Sequence, residues 1–131
     1  MTDTDTNTAA AALRAEVAAW MGALDGGDLE GVLACCHDDI VLANAGSPTD
    51  RGLGTMRECY APRIADFDIR SGWDEETLVV HGGTGVVVGR YAVSMTPKDG
   101  GEIREIAGRV ALTCVRGADG RWRMLADVDN T

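Results

Sequence analysis

The sequence predicts a single α+β domain, in which three N-terminal helices pack against a strongly curved antiparallel sheet of four long strands and one or two short ones. The first observation is an Ala-rich segment with apolar residues at helical spacing. The second is a series of long strand-like runs in the second half of the chain, at 67–81, 84–96, 102–116 and 121–129. Short turns such as Asp119-Gly120 join these runs, so successive strands pair antiparallel, and strands of such length must twist and curl.

The sequence pattern of residues 1–36 predicts a tail followed by two helices. Residues 1–8 are polar and repetitive, which predicts a disordered tail. A first helix is predicted over Ala9–Leu24 and ends at Gly26-Gly27. Asp28 is placed to cap a short second helix over Leu29–Cys36.

The middle of the chain alternates between strand, loop and helix. His37-Asp38-Asp39 is predicted to break the second helix, and Ile40–Asn44 to form a short strand. A loop over residues 45–52 leaves room for one more short strand. A third helix is predicted over Leu53–Asp66, where Pro62 removes one backbone donor and is expected to kink or shorten the helix.

Composition argues against several functional classes. The formal net charge is -9 and the pI is about 4.5, so we expect no nucleic acid and no anionic membrane as a partner. The cysteines have no CxxC spacing, and Gly82-Gly83-Thr84-Gly85 lacks the lysine and the strand-to-helix setting of a phosphate loop. We therefore expect no metal and no cofactor. No signal peptide or apolar span is evident, which predicts a cytoplasmic protein.

Several short motifs occur in a characteristic order. Gly27-Asp28 joins the first two helices, His37-Asp38-Asp39 precedes the first strand, Gly52 opens the third helix, and residues 119–123 (Asp-Gly-Arg-Trp-Arg) enter the last strand. In these motifs the chain resembles the nuclear transport factor 2-like superfamily, and it is most similar to the SnoaL-like and DUF4440-type bacterial branch. The resemblance covers residues 9–131 as one domain. It implies a cone-shaped, cystatin-like fold with an internal cavity, a fold that hosts isomerases, cyclases, hydrolases, dehydratases and binding modules.

Ketosteroid isomerase, a relative in this superfamily, provides a catalytic pattern for comparison. The position of its general base falls on Asn44, and that of its oxyanion-hole tyrosine falls on Trp20. Its second oxyanion acid falls near Leu112, and its supporting tyrosine matches Tyr60. An Asn side chain cannot act as a base at neutral pH and a Leu side chain cannot donate a hydrogen bond, so we reject isomerisation by that mechanism.

The SnoaL-like polyketide cyclases resemble the chain in another way, because their acid–base aspartate lies on the last strand. The resemblance implies this role for Asp127, which strand alternation places on one face with Leu125 and Asp129. Desolvation in an apolar cavity raises the pKa of a carboxyl group, which suits proton abstraction next to a carbonyl. The alternative is a structural carboxylate that pairs with Arg109 or Arg123, or one that faces a partner subunit.

The predicted site is an apolar cavity with a few polar points. Asn44 could bind a substrate carbonyl or could satisfy the loop that follows it, and Tyr60 could orient a ligand or be a core tyrosine. The predicted catalytic residues are Asp127, Asn44 and Tyr60. The predicted ligand-binding residues are Trp20, Tyr91, Leu112, Val87, Leu125 and Trp73.

The sequence thus supports three functional hypotheses. The first is a cofactor-independent enzyme, a cyclase or isomerase, that transforms a small apolar carbonyl compound with Asp127 as acid and base. The second is a non-catalytic small-molecule-binding or dimerisation module. The third is an epoxide hydrolase, which needs an Asp-Arg-Asp set, and strand parity ranks it last because it turns Arg109 away from Asp127. The resemblance also implies a homodimer that forms through the convex face of the sheet.

Overall fold

The computed structural model describes residues 3–130, and the side chains of residues 6–130. The elements are α1 (Asp3–Asp25), α2 (Leu29–Ala34), β1 (Cys36–Ala43), β2 (Asp50–Arg51), α3 (Leu53–Asp66), β3 (Phe67–His81), β4 (Thr84–Pro97), β5 (Arg104–Arg116) and β6 (Trp122–Asn130). The strands form one curved sheet in the order β2-β1-β6-β5-β4-β3. Only β1 and β6 pair in parallel among the described residues. The predicted α+β fold with a curved sheet and N-terminal helices is confirmed.

Helix α1 begins at Asp3, earlier than the predicted start at Ala9, and therefore includes much of the segment 1–8 that was predicted as a disordered tail. Met1 and Thr2 lie outside the described residues. The physical reason is that an existing Ala-rich helix extends without a new nucleation step, since each added residue gains a backbone hydrogen bond. Apolar side chains of α1 pack into the core; they are Ala9, Leu13, Val17, Trp20 and Leu24.

Helix α2 is capped as predicted, because the backbone N–H of Gly31 donates to Asp28 Oδ1 at 3.0 Å. The helix ends at Ala34, however, and strand β1 begins at Cys36, so the predicted helical Cys36 and the predicted break at residues 37–39 are both wrong. The cause is pairing with β6: Cys36 is the register partner of Met124, whose N–H donates to Cys35 O at 2.9 Å. Local signals cannot reveal a parallel partner so distant in the sequence.

Helix α3 has the predicted bounds, and it continues through Pro62 to Asp66. Met56, Tyr60 and Ile64 form its buried face, at intervals of one helical turn. The N-terminal half of α3 lies beside β1 and β2, and the helix also contacts β3. This position brings Tyr60 over the concave face of the sheet.

Strand β6 contains a bulge that reverses the side-chain alternation. Thr113 of β5 pairs with Ala126, and Cys114 pairs with Met124, which leaves Leu125 without a partner on β5. Met124 and Asp127 are therefore both buried on the concave side, although their spacing is odd. The prediction that Leu125 and Asp127 share a face was wrong for this reason.

Two glycines of β4 allow side chains to approach the sheet closely. A Cβ atom at Gly85 would lie 2.5 Å from Leu13 Cδ2, and one at Gly89 would lie 2.6 Å from Trp73 Cη2. Gly85 thus admits helix α1, and Gly89 admits the indole of Trp73.

Among the described helices, none is both long and apolar enough to cross a membrane.

Candidate functional site

A cavity of about 320 Å³ opens between the concave face of the sheet and helices α1 and α3. Its volume is at the lower end of the range for small-molecule sites. Apolar side chains form most of its wall: Trp20, Met21, Leu24, Leu42, Ile69, Val93, Met95, Ile106 and Val110. Its polar lining residues are Asn44, Ser47, Asp50, Thr55, Cys59, Tyr60, Arg63, Tyr91, Asp127 and Asp129.

Asp127 lies on the cavity wall in β6, between Leu42 of β1 and Leu112 of β5, which are its register partners. It is 3% exposed, and its Oδ1 is buried without a hydrogen-bond partner among the described residues. Desolvation raises the pKa of Asp127 to about 7; the charge of Asp129 adds to this rise, and the charge of Arg63 opposes it. At neutral pH this carboxyl group can therefore both accept and release a proton.

The ion pairs considered as an alternative role for Asp127 do not form. Arg109 Nε pairs with Glu76 at 2.8 Å, and Arg123 Nη2 pairs with Asp119 at 2.7 Å. Arg109 cannot supply the arginine of an Asp-Arg-Asp set of the epoxide hydrolase type either. Arg109 precedes Val110 on β5, and since Val110 lines the cavity, Arg109 lies on the opposite face of the sheet.

Trp20 supplies an unsatisfied donor to the same cavity. The residue is 6% exposed on the buried stripe of α1, and its Nε1 makes no hydrogen bond to any residue that the structure describes. A buried N–H without a partner costs free energy that a ligand acceptor would recover. Trp20 Nε1 and Asp127 Oδ1 are therefore two buried polar atoms of cavity-lining residues that have no hydrogen-bond partner among the described residues.

Asn44 lines the cavity and forms a side-chain hydrogen bond with another lining residue. Its Nδ2 donates to Asp129 Oδ2 at 2.9 Å, while the backbone N–H of Ala45 donates to Asp129 Oδ1 at 2.7 Å. The Asp129 carboxylate thus anchors the loop that follows β1 at the edge of the cavity. The Asn44 side chain thus contacts the carboxylate that anchors this loop, and both interpretations of Asn44 stay predictions.

Tyr60 lines the cavity from α3 and is 8% exposed. Burial and the nearby Asp127 charge raise the pKa of Tyr60, so its hydroxyl keeps its proton and can donate it in a hydrogen bond. The guanidinium of Arg63 stacks on the Tyr60 ring, 5.2 Å from its centroid. Tyr91 completes the polar lining from β4, and burial followed by the charges of Asp129 and Asp127 raises its pKa as well.

Four predicted ligand-binding residues do not line the cavity. Val87 and Leu112 are on the concave side but fully buried, and they pair with each other across β4 and β5. Leu125 lies on the other face because of the bulge in β6. Trp73 packs over Gly89 instead of facing the cavity.

Arg63 and Asp129 are two of the cavity residues that were not among the predicted site residues. Arg63 follows Tyr60 by three positions on α3, a spacing that places two side chains on the same helix face. Asp129 follows Asp127 by two positions on β6, which places it on the same strand face. Their spacing from Tyr60 and Asp127 could have identified them.

No group of three or more potential metal ligands occurs among residues 6–130, whose side chains the structure describes.

Comparison with known proteins identifies related folds. The SnoaL-like domain family matches residues 17–124. A conserved protein from Planctomyces limnophilus has a TM-score of 0.88 at 20% identity, with 93% of this chain and 94% of that chain covered. A ketosteroid isomerase-like protein from Erwinia carotovora atroseptica has a TM-score of 0.80 at 21% identity, with 92% of this chain and 93% of that chain covered.

A nuclear transport factor 2-like superfamily protein from Salmonella enterica has a TM-score of 0.83 at 13% identity, with 95% of this chain and 91% of that chain covered. At these identities the structural likeness shows a common fold and nothing about a common activity. Among curated proteins, none matches the sequence.

Proposed function

The chain belongs to the SnoaL-like domain family of the nuclear transport factor 2-like superfamily, and on this premise we propose that it is a cofactor-independent enzyme that moves a proton next to the carbonyl of a small, mostly apolar compound. Such a step leads to isomerisation, cyclisation or elimination. The observation that carries the proposal is the Asp127 carboxyl group, which is buried at the cavity wall with one oxygen unpaired.

Asp127 would act as the general base and then as the general acid. Its pKa of about 7 means that both protonation states are populated near neutral pH. The carboxylate would take a proton from the carbon next to the carbonyl, and the resulting acid would return it to the product.

Trp20 and Tyr60 would stabilise the negative charge that develops on the carbonyl oxygen. The Trp20 Nε1–H is buried without a partner among the described residues, and the Tyr60 hydroxyl keeps its proton because its pKa is raised. Preorganised donors of this kind commonly supply a large part of the rate enhancement in enolisation. One Nδ2 hydrogen of Asn44 donates to Asp129, so we assign Asn44 the role of holding this carboxylate.

Proton–deuterium exchange tests the proposal without knowledge of the natural substrate. Propiophenone, α-tetralone and β-benzoylpropionate would be incubated with the protein in deuterium oxide near neutral pH, and loss of the α-proton signals would be followed by NMR. We expect exchange of at least one ketone above the buffer rate, and a loss of about a hundredfold or more in Asp127→Asn. Asp119→Asn is the matched control, because Asp119 lies in an exposed turn outside the cavity.

Two results would contradict catalysis by Asp127. Unchanged exchange in Asp127→Asn would remove this residue from the mechanism. Binding of a ketone to the wild-type cavity without any exchange would instead favour the non-catalytic binding module, since the same cavity would then serve only to hold a ligand.

A further inference from the structure

We propose that the cavity selects carbonyl compounds that carry a carboxylate, and that Arg63 is the specificity-determining residue that binds this anionic group at the cavity mouth. The inference rests on the function proposed above and names the substrate class of the same site. It follows from two observations. Arg63 lines the cavity without an ion pair among the described residues, and the buried and exposed ends of the cavity differ in their chemistry.

Of the other ten arginines, six have a carboxylate partner, and four have none among the residues whose side chains are described, Arg51, Arg70, Arg104 and Arg116. The paired arginines are Arg14, Arg57, Arg90, Arg109, Arg121 and Arg123. Arg63 has no ion pair among the residues whose side chains are described, and it is the cationic residue of the cavity lining. Its guanidinium lies against the Tyr60 ring, which limits its freedom and leaves its N–H donors available to a ligand.

The acids of the cavity do not provide this partner. Both oxygens of Asp129 accept hydrogen bonds, from Asn44 Nδ2 and from Ala45 N. Asp50 Oδ1 accepts from the backbone N–H of Arg51 at 2.8 Å. Asp127 is the remaining carboxyl group; it is deeply buried, whereas Arg63 is exposed.

The cavity therefore has two chemically different ends. Its buried end is formed by Trp20 and Asp127, whose Nε1 and Oδ1 atoms are buried without a partner among the described residues and are of the kind that a carbonyl group and its neighbouring proton require. Its exposed end presents the Arg63 guanidinium, whose planar fork of donors matches a carboxylate. Apolar walls join the two ends, so a keto acid with an apolar middle would satisfy both.

Binding of a matched pair of probes tests this proposal. β-Benzoylpropionate and its methyl ester share the ketone and the aromatic ring and differ in the negative charge. The shift of the Trp20 indole N–H signal in NMR titrations would give both dissociation constants. We expect the acid to bind about tenfold more tightly than the ester, which corresponds to one charge-assisted hydrogen-bonded pair. Added salt should reduce this preference.

Variants then assign the preference to Arg63. In Arg63→Gln the acid-to-ester ratio should fall to near unity while the ester affinity stays unchanged, and Arg63→Lys should keep part of the preference. Arg104→Gln is the matched control, because Arg104 stacks on Phe67 at the same 5.2 Å but lies outside this cavity. Circular dichroism of each variant would establish that it is folded.

The proposal is overturned if the wild-type protein binds acid and ester equally, if neither compound shifts the Trp20 signal at millimolar concentration, or if Arg63→Gln retains the full preference. This readout is independent of turnover. An acid preference without any proton exchange would therefore contradict the proposed enzyme activity while supporting the role of Arg63. Proton exchange by Asp127 together with equal binding of acid and ester would support the proposed enzyme activity and contradict the role of Arg63.

Discussion

The Asn44 side chain donates a 2.9 Å hydrogen bond to Asp129, and this contact joins the end of β1 to the end of β6 at the edge of the cavity. The adjacent N–H of Ala45 binds the second oxygen of the same carboxylate. Asp129 therefore holds the loop that follows β1, and its charge also acts on Asp127, two residues earlier on the strand. One carboxylate thus influences both the shape of the cavity edge and the proton affinity of the candidate base.

We predict that Asp129→Asn lowers the pKa of Asp127. Asp129 is the second contribution to the raised pKa of Asp127, after desolvation, and a neutral side chain removes the repulsion between the two carboxylates. Carboxyl-carbon NMR titration of the two proteins would measure the change directly. Asp50→Asn is the control, since Asp50 lines the same cavity but is not a cause of the Asp127 shift. An unchanged Asp127 titration in Asp129→Asn would contradict the coupling.

We predict that Asp127→Asn stabilises the protein at alkaline pH and not in acid. Because folding raises the pKa of Asp127 from 3.8 to about 7, the folded state loses stability as the pH rises through this interval. The full cost above neutral pH is on the order of 4 kcal/mol, and Asn, which carries no charge, avoids it. Urea unfolding at about pH 4 and about pH 8 would measure the difference between wild type and variant at each pH.

Asp119→Asn is the control of opposite sign for that experiment. The hydrogen bonds from Arg123 and from the Arg121 backbone lower the pKa of Asp119 to about 2, so its contribution is present at neutral pH and is lost in strong acid. The variant should therefore be less stable than wild type near neutrality. A stability of Asp127→Asn that matches wild type at every pH would mean that Asp127 is not desolvated.

The long antiparallel strands could be predicted because their signals are local. Alternating apolar residues and the turn at Asp119-Gly120 lie within the segments that they define, and β5 and β6 lie close to their predicted bounds. Asp127, Tyr60 and Trp20 were identified as site residues through the resemblance to known families, and all three line the cavity. Where periodicity holds, the face of a residue follows from its position.

The remaining errors arose where distant pairing overrides local signals. Leu125 lies on the face opposite to the predicted one because the pairing of β5 with β6 contains a bulge at this residue. No residue type in that segment indicates a bulge. Cys36 belongs to strand β1 and not to the predicted helix because it pairs with Met124 of β6. Val87 and Leu112 have the predicted face, but their depth in the core depends on how far the helices cover the sheet, which a single sequence does not reveal.

We predict that Gly89→Ala destabilises the protein. A Cβ atom there would lie 2.6 Å from the Trp73 indole and 2.7 Å from the backbone oxygen of Asp74, and the backbone cannot yield as a side chain can. Overpacking of this kind costs about 1–3 kcal/mol. Thermal unfolding would measure the loss. Gly83→Ala, where a Cβ atom meets nothing within 4 Å, is the control and should leave stability nearly unchanged.

The face of the sheet opposite the cavity carries an apolar patch, which we call the convex patch. Strand register brings its members side by side: Val88 pairs with Ala111, and Ala111 pairs with Val128. Val79 and Val86, an adjacent pair, extend it towards β3. The exposed fractions are 47% for Val79, 37% for Val86 and 47% for Val128, which is unusual for aligned apolar side chains on a sheet.

We propose that a second copy of the chain covers the convex patch, and we predict that Val128→Arg produces a monomer. A charge placed in an apolar, self-complementary interface would be buried twice in a twofold-symmetric dimer without a partner. Sedimentation equilibrium should give a wild-type mass of about twice 13.8 kDa and a variant mass near 13.8 kDa. Ile103→Arg, at a more exposed apolar residue that precedes β5, should remain a dimer. A monomeric wild-type protein, or a dimeric Val128→Arg, would contradict the proposed interface.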